Sequence, residues 1–283
     1  MFTEYKRFSV DGFNLTDNTA VGYLEQALGI SFPQKPLMIE LTWRNRLVLA
    51  RKANPIFALT FLRGREAGAY DGELNTFFAD KGVPMVVALH ENMHAYVKAK
   101  NPELRTLERT YKAINARITG KDAEYDDPET PIVHSCLNEG LCDWSAVIAA
   151  TAFPEVGLNE TKYWIASHAY RLKEKGHETE TPQEYRHRNL DIIYEGVELF
   201  RTAIGRERFE AYRYAQKAQK TLYMMEYYAG YIFVLNAMSY FQASGIYINT
   251  GIDLLIQNPP LTVDQLRNGK TFARDLMVKN NLQ

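Results

Sequence analysis

The chain has 283 residues, 46% hydrophobic and 24% charged, the make-up of an ordinary globular protein. Its 33 basic and 34 acidic residues leave a net charge of −1, so nothing electrostatic points to nucleic acid or an anionic membrane as partner. No run approaches the roughly 20 apolar residues of a membrane span, and the first residues, Met-Phe-Thr-Glu-Tyr-Lys-Arg-Phe, lack the apolar stretch of a signal peptide. A cytoplasmic location is therefore expected. Two cysteines, Cys136 and Cys142, are too few for a disulfide framework and lack metal-ligand spacing, so both read as core residues or as support behind a site.

The first 80 residues read as mixed α/β. A helix is predicted over 18–28, opened by Asp17 and closed by Gly29. Apolar, β-rich runs follow at Leu37–Trp43, Leu47–Ala50 and Ile56–Leu62, with a weaker strand at Glu73–Phe78 after the turn signal Asp71-Gly72. Beyond Pro84, which suits the first turn of a helix, the pattern becomes almost wholly helical. Val86, His90, Met93, His94 and Val97 share one face of that first helix, and Asn101-Pro102 stops it. A polar segment, 100–131, precedes a second core helix predicted over Ser135–Thr151 and ended by Phe153-Pro154. Further helices are predicted at 160–175, 183–204, 207–220 and 222–243. Thr181-Pro-Gln-Glu184 and Thr262-Val-Asp-Gln265 have the form of capping boxes, and Gly176 and Gly205 suit helix ends. The division expected is an α/β lobe over 1–100 and a mainly helical lobe over 101–283.

Residues 89–95 read Leu-His90-Glu91-Asn-Met-His94-Ala, an HExxH pattern and a known zinc signature when it lies on a helix. Histidines four apart project from one helical face, one turn apart, close enough for both rings to reach one tetrahedral ion. Glu91 follows the first histidine directly, so its carboxylate can address a water activated by the ion without binding the ion itself. The extended form HExxHxxGxxH is excluded, because Val97 and Lys100 stand where Gly and His belong. His134, His168, His177 and His187 show no second ligand-like spacing.

Further on stands Asn138-Glu139-Gly-Leu-Cys-Asp143, set among Leu137, Leu141, Trp144, Val147 and Ile148, poor company for a solvated acidic face. Together with HExxH this resembles the Asn-Glu-x-x-x-Asp element of gluzincins, the zinc peptidases with a His-His-Glu site that include the thermolysin-like enzymes. The resemblance implies Zn2+ held by His90, His94 and Glu139, with Asp143 orienting a zinc histidine from behind. It covers these two motifs only. The 44 residues between His94 and Glu139 are about twice the gap of thermolysin-like enzymes. Longer gaps occur in some bacterial zinc-protease families, which the chain resembles in this respect.

Hydrolysis also needs a donor for the developing oxyanion. Tyr227 and Tyr231 share a helical face beside Gly230, a residue suited to close approach by another segment, and are candidates; packing as core aromatics is the other reading. His168 is a weaker candidate. Gly68-Ala-Tyr-Asp71-Gly72 is similar in position to the Gly-x-Met-Glu-Asn loop of gluzincin aminopeptidases, but with Asp for Glu and Gly for Asn it reads first as a hairpin turn. The segment Glu73–Phe78 is the expected edge strand for an extended peptide.

The fold implied is α+β and zincin-like: a small N-terminal sheet with helices, the HExxH helix, and a mostly helical C-terminal lobe. The function implied is peptide hydrolysis with Glu91 as general base and a peptide or protein as partner. A zinc hydrolase of a non-peptide amide or ester remains open, as does a non-catalytic zinc-binding protein on the same scaffold.

Overall fold

The computed structural model describes residues 13, 15–45, 68–72, 74–104, 129–157, 227 and 229–282. The runs Leu47–Ala50 and Ile56–Leu62, the helices expected between 160 and 220, the capping box at Thr181 and His168 lie outside them. The fold is α+β, a small mixed sheet with a largely helical remainder.

The sheet has four strands in the order β1 (Leu15–Thr16), β2 (Leu37–Glu40), β4 (Thr76–Ala79), β3 (Gly68–Asp71). β2 and β4 run parallel, with Ile39 opposite Phe78, while β1 and β3 join antiparallel. β4 is therefore interior, and its four residues are all buried, which is why Thr-Phe-Phe-Ala shows no alternation. Among the described residues the edges are β1 and β3, and the segment predicted as an edge strand, Glu73–Phe78, instead supplies the interior β4. Gly, Ala and Asp are poor strand formers, so the sequence from 68 to 71 reads as a turn. The turn itself begins at Gly72: the Asp71 carboxylate accepts the Leu74 N–H at 3.1 Å, and Asn75 takes a left-handed φ of 47°.

Helix α1 (Thr19–Leu28) buries Ala20, Val21, Leu24 and Leu28 at helical spacing and ends at Gly29 in the left-handed conformation. Asn18, rather than Asp17, occupies its N-cap, but without a capping bond. Helix α2 (Met85–Lys100) starts directly after Pro84, whose carbonyl accepts the N–H groups of Val87 and Ala88. Asn101-Pro102 ends it as expected, with the Asn101 side chain accepting the N–H groups of Glu103 and Leu104. Helix α3 (Glu129–Ala152) begins six residues before the predicted Ser135, with Pro131 in its first turn. A 3-10 turn, Pro154–Val156, follows it.

Helix α4 covers 229–243, then α5 (Ile248–Gln257), α6 (Val263–Arg267) and α7 (Gly269–Lys279). The Thr262 capping box is present: Thr262 Oγ1 accepts the Gln265 N–H, and the Gln265 side chain accepts the Thr262 N–H. Among the described residues no helix is long and apolar enough to cross a membrane.

The chain forms two compact units, one of residues 1–99 with 145–158, the other of residues 100–144 with 159–283. The first holds the sheet, α1 and nearly all of α2, with a core that includes Leu24, Ile39, Phe77, Phe78, Leu89, Met93 and Tyr96. The ring of Phe32 meets Tyr96 edge-on at 5.4 Å, and Tyr23 packs on Phe153 at 5.0 Å. The described residues of the second unit are mainly helical. There α3 and α4 cross at glycines: a Cβ on Gly230 would fall inside the backbone carbonyl of Cys136, and one on Gly140 would fall inside Gly230. Gly230 thus does admit another segment, and that segment is α3.

Candidate metal centre

Helix α2 carries two imidazoles inward because its apolar stripe, Val86, Leu89, Met93 and Val97, is the face that seals the core. His90 is buried, and His94, one turn on, is half-buried. Their Nε2 atoms lie 3.1 Å apart, with the ring planes at 80° to one another. Two nitrogens bound to one tetrahedral zinc at 2.0–2.1 Å would be separated by about 3.3 Å. The pair thus has the spacing of two ligands to a single ion. The same spacing suits a hydrogen bond if one ring carries its proton on Nε2, so donor roles follow the tautomer.

Glu91 is half-buried, between helix and sheet edge. Its Oε2 accepts the backbone N–H of Tyr70 on β3 at 2.9 Å. The pairing of the sheet explains that N–H. Asn75 and Ala79 give their carbonyls to β2, so Thr76 and Phe78 face β3 and bond its Ala69 and Asp71. Tyr70, opposite Phe77, turns its N–H and C=O away from the sheet. The Tyr70 hydroxyl donates to Asn75 Oδ1 at 2.9 Å, and burial, then the negative charge of Asp71, raises its pKa.

Asn92, the residue after Glu91, is fully buried and forms a reciprocal amide pair with Asn18, at 2.7 and 3.1 Å. Asn92 also donates to the Ala88 carbonyl at 2.7 Å, and Asn18 to the Pro36 carbonyl at 3.1 Å. The start of α1 and the entry to β2 are thereby fastened to the middle of the HExxH turn. The missing cap at Asn18 has its reason here: the side chain that would cap α1 is committed to α2. Two asparagines 74 residues apart carry no local signal, and the sequence does not disclose the pair.

In the second unit, Glu139 and Asp143 are buried on α3, at 8% and 1% exposure, with Asn138, Leu137 and Leu141 buried around them. Tyr231 on α4 is half-buried, and its pKa is raised, first by desolvation and then by the charge of Asp143. The phenol therefore keeps its proton through neutral pH and can act as a donor. Tyr227, one turn earlier, is also half-buried. Cys142, which the sequence suggests only as core or support, is buried between Leu141 and Asp143 and forms no disulfide. By donor type His90, His94 and Cys142, two imidazoles and a thiolate, are able to hold a metal ion, and that set does not identify which metal. The signal for Cys142 was its position in the turn that also carries Glu139 and Asp143.

No family model, curated protein or solved structure matches this chain.

Proposed function

We propose that the protein is a zinc-dependent hydrolase of gluzincin-like, zincin-type architecture that cleaves peptide bonds. The observation that carries this reading is the His90–His94 pair, with Nε2 atoms 3.1 Å apart on either side of Glu91 in the helix turn. A zinc ion bound there would supply Lewis acidity to a water and to the substrate carbonyl. The third ligand in this reading is Glu139, a buried carboxylate on a helix that lends residues to both units.

The chain's own residues divide the remaining work. Glu91 takes the proton of the attacking water and returns it to the leaving amine. The Tyr70 N–H, donated to its Oε2, ties the carboxylate to strand β3. Tyr231, kept neutral by burial and by Asp143, is the candidate hydrogen-bond donor to the oxyanion, with Tyr227 beside it on the same face. Asp143 orients a ligand histidine, the duty of a carboxylate behind a metal site.

Cys142 gives a second version of the ligand set, His-His-Cys, favoured by the soft thiolate it offers to zinc. Elemental analysis of the wild type beside Glu139→Ala and Cys142→Ser, with cobalt substitution, decides. About one metal per chain, lost in Glu139→Ala and kept in Cys142→Ser, supports His-His-Glu. The reverse result, with thiolate-to-cobalt absorption in the near ultraviolet, replaces Glu139 by Cys142. No metal in the wild type after reconstitution ends the proposal.

A further inference from the structure

Resting on that reading of the site, we infer that Lys98 is its specificity-determining residue and that the preferred substrate carries a carboxylate. Lys98 follows Glu91 by seven residues, almost two full turns, so both side chains leave α2 in nearly the same direction. That direction is toward the edge strand, and contacts at both positions show it. Glu91 Oε2 accepts from Tyr70 N, while the Lys98 side chain lies across Gly72, just past the end of β3. A Cβ built on Gly72 would meet Lys98 Cδ at 2.7 Å and Cε at 3.1 Å, with the ammonium nitrogen nearer still. The absence of a side chain at Gly72 is what lets the lysine stem lie there.

Lys98 is half-buried as a residue, and among the described residues its ammonium makes no hydrogen bond or ion pair. Lys100, two residues on, differs: its Nζ is held by Asp253 Oδ2 at 2.9 Å. An ammonium on a half-buried lysine, with no anion beside it among the described residues, is a ready binding group, and a carboxylate is the anion that a peptide supplies. Tyr70 turns an unshared carbonyl outward from the same edge, so an extended peptide pairing there would run along β3 toward Lys98. The distance from the Glu91 carboxylate to the ammonium is roughly 7–10 Å, two strand residues or seven helix residues. The carboxylate recognised would therefore stand two or three residues from the bond that is cut. It comes either from a free C-terminus or from an Asp or Glu side chain.

The test uses the zinc-loaded full chain and three matched sets of short acetylated peptides. One set ends in a free carboxylate, one in a carboxamide, and one in a carboxamide with an Asp or Glu near the end. We expect the wild type to favour one carboxylate set over the neutral set by about tenfold in kcat/KM, expressed mainly in KM. The favoured set tells the two sources apart. Lys98→Met should bring the ratio toward one, Lys98→Arg should retain most of it, and Gly72→Ala should lower it by displacing the lysine stem. Equal cleavage of all sets by the wild type, or a preference that survives Lys98→Met, overturns this inference and leaves the peptidase reading standing. No cleavage of any set overturns both.

Discussion

The C-terminal helices α5, α6 and α7 and the HExxH helix α2 treat polar residues in opposite ways. Every buried residue of the three C-terminal helices is apolar or glycine: Ile252, Leu254, Leu255 and Ile256 in α5, Val263 and Leu266 in α6, Ala273, Leu276 and Met277 in α7. Apart from Asp253 and Arg267, which are half-buried, their polar residues are exposed, which is how an amphipathic helix gains most from burial. Helix α2 instead buries His90 and Asn92 inside its apolar stripe, and α3 buries His134, Ser135, Asn138, Glu139, Asp143 and Ser145. Burying such groups costs free energy unless they are hydrogen-bonded or bind something. The chain keeps this rule in α5–α7 and breaks it in α2 and α3, the helices that carry the residues of the proposed site.

The sharpest way to break the comparison is Glu91→Gln. If the polar residues of α2 serve chemistry, this variant binds metal like the wild type and loses about 10²–10⁴-fold in kcat, the worth of a general base. Thermal unfolding should hardly change, because the amide can still accept the Tyr70 N–H. Full activity in Glu91→Gln would reduce the polar residues of α2 to structural ones.

Gly230→Ala probes the other buried helix through its packing. The added methyl would collide with the backbone carbonyl of Cys136, and neither helix backbone can yield as a flexible side chain would. The cost expected is about 3 kcal/mol, the upper end for overpacking, read as a lower denaturant midpoint. Gly72→Ala is the control, since there the obstacle is the flexible end of Lys98. Equal stability of the two variants would show that α3 and α4 do not cross at these glycines.

Asn92→Ala should cost about 2 kcal/mol, because it strips the Asn18 amide of its partner in a buried setting. Asn18→Ala should cost about as much and the double variant less than the sum, the mark of two residues in direct contact. Additive losses would mean that the amide pair does not form. Here the limits of sequence reading have a physical basis. The HExxH helix, its stop at Asn101-Pro102, the Gly29 end of α1 and the Thr262 capping box were legible because each depends on residues within a few positions of one another. The buried surroundings of Glu139 and Asp143 were legible from their apolar neighbours for the same reason. β3 was not, since Gly-Ala-Tyr-Asp owes its strand conformation to Phe77 and Phe78 across the sheet. The Asn18–Asn92 pair and the Gly140–Gly230 crossing join residues far apart in the chain, and α5 and α7 went unassigned although their amphipathic patterns were present.

Thr262→Ala moves the test to the region that keeps the rule. There a polar side chain has only a local duty, accepting the Gln265 N–H at 3.3 Å. Its loss should cost about 1 kcal/mol, the usual worth of a cap, and leave metal content and catalysis as in the wild type. A change in metal content would contradict the division drawn between these helices.

The smallest effect belongs to Glu25 on α1, whose carboxylate accepts from Lys35 Nζ at 2.7 Å and from the Phe32 N–H at 3.2 Å. The Lys35 bond, helped by the Phe32 N–H and by the lysine charge, outweighs desolvation and holds the Glu25 pKa below its ordinary value. A carboxyl with a pKa lowered by folding adds stability when it is ionised in both states, so the contribution is full at neutral pH. It fades as pH falls through the ordinary glutamate range and is gone below the folded pKa. Lys35 is largely exposed, so water screens the pair and Glu25→Gln should cost only about 0.2–1 kcal/mol at pH 7. Wild type and variant should converge in stability as the pH falls below the ordinary glutamate range. A gap that persists or widens in acid would mean that Glu25 holds the Phe32 turn through its shape and hydrogen bonding rather than through its charge.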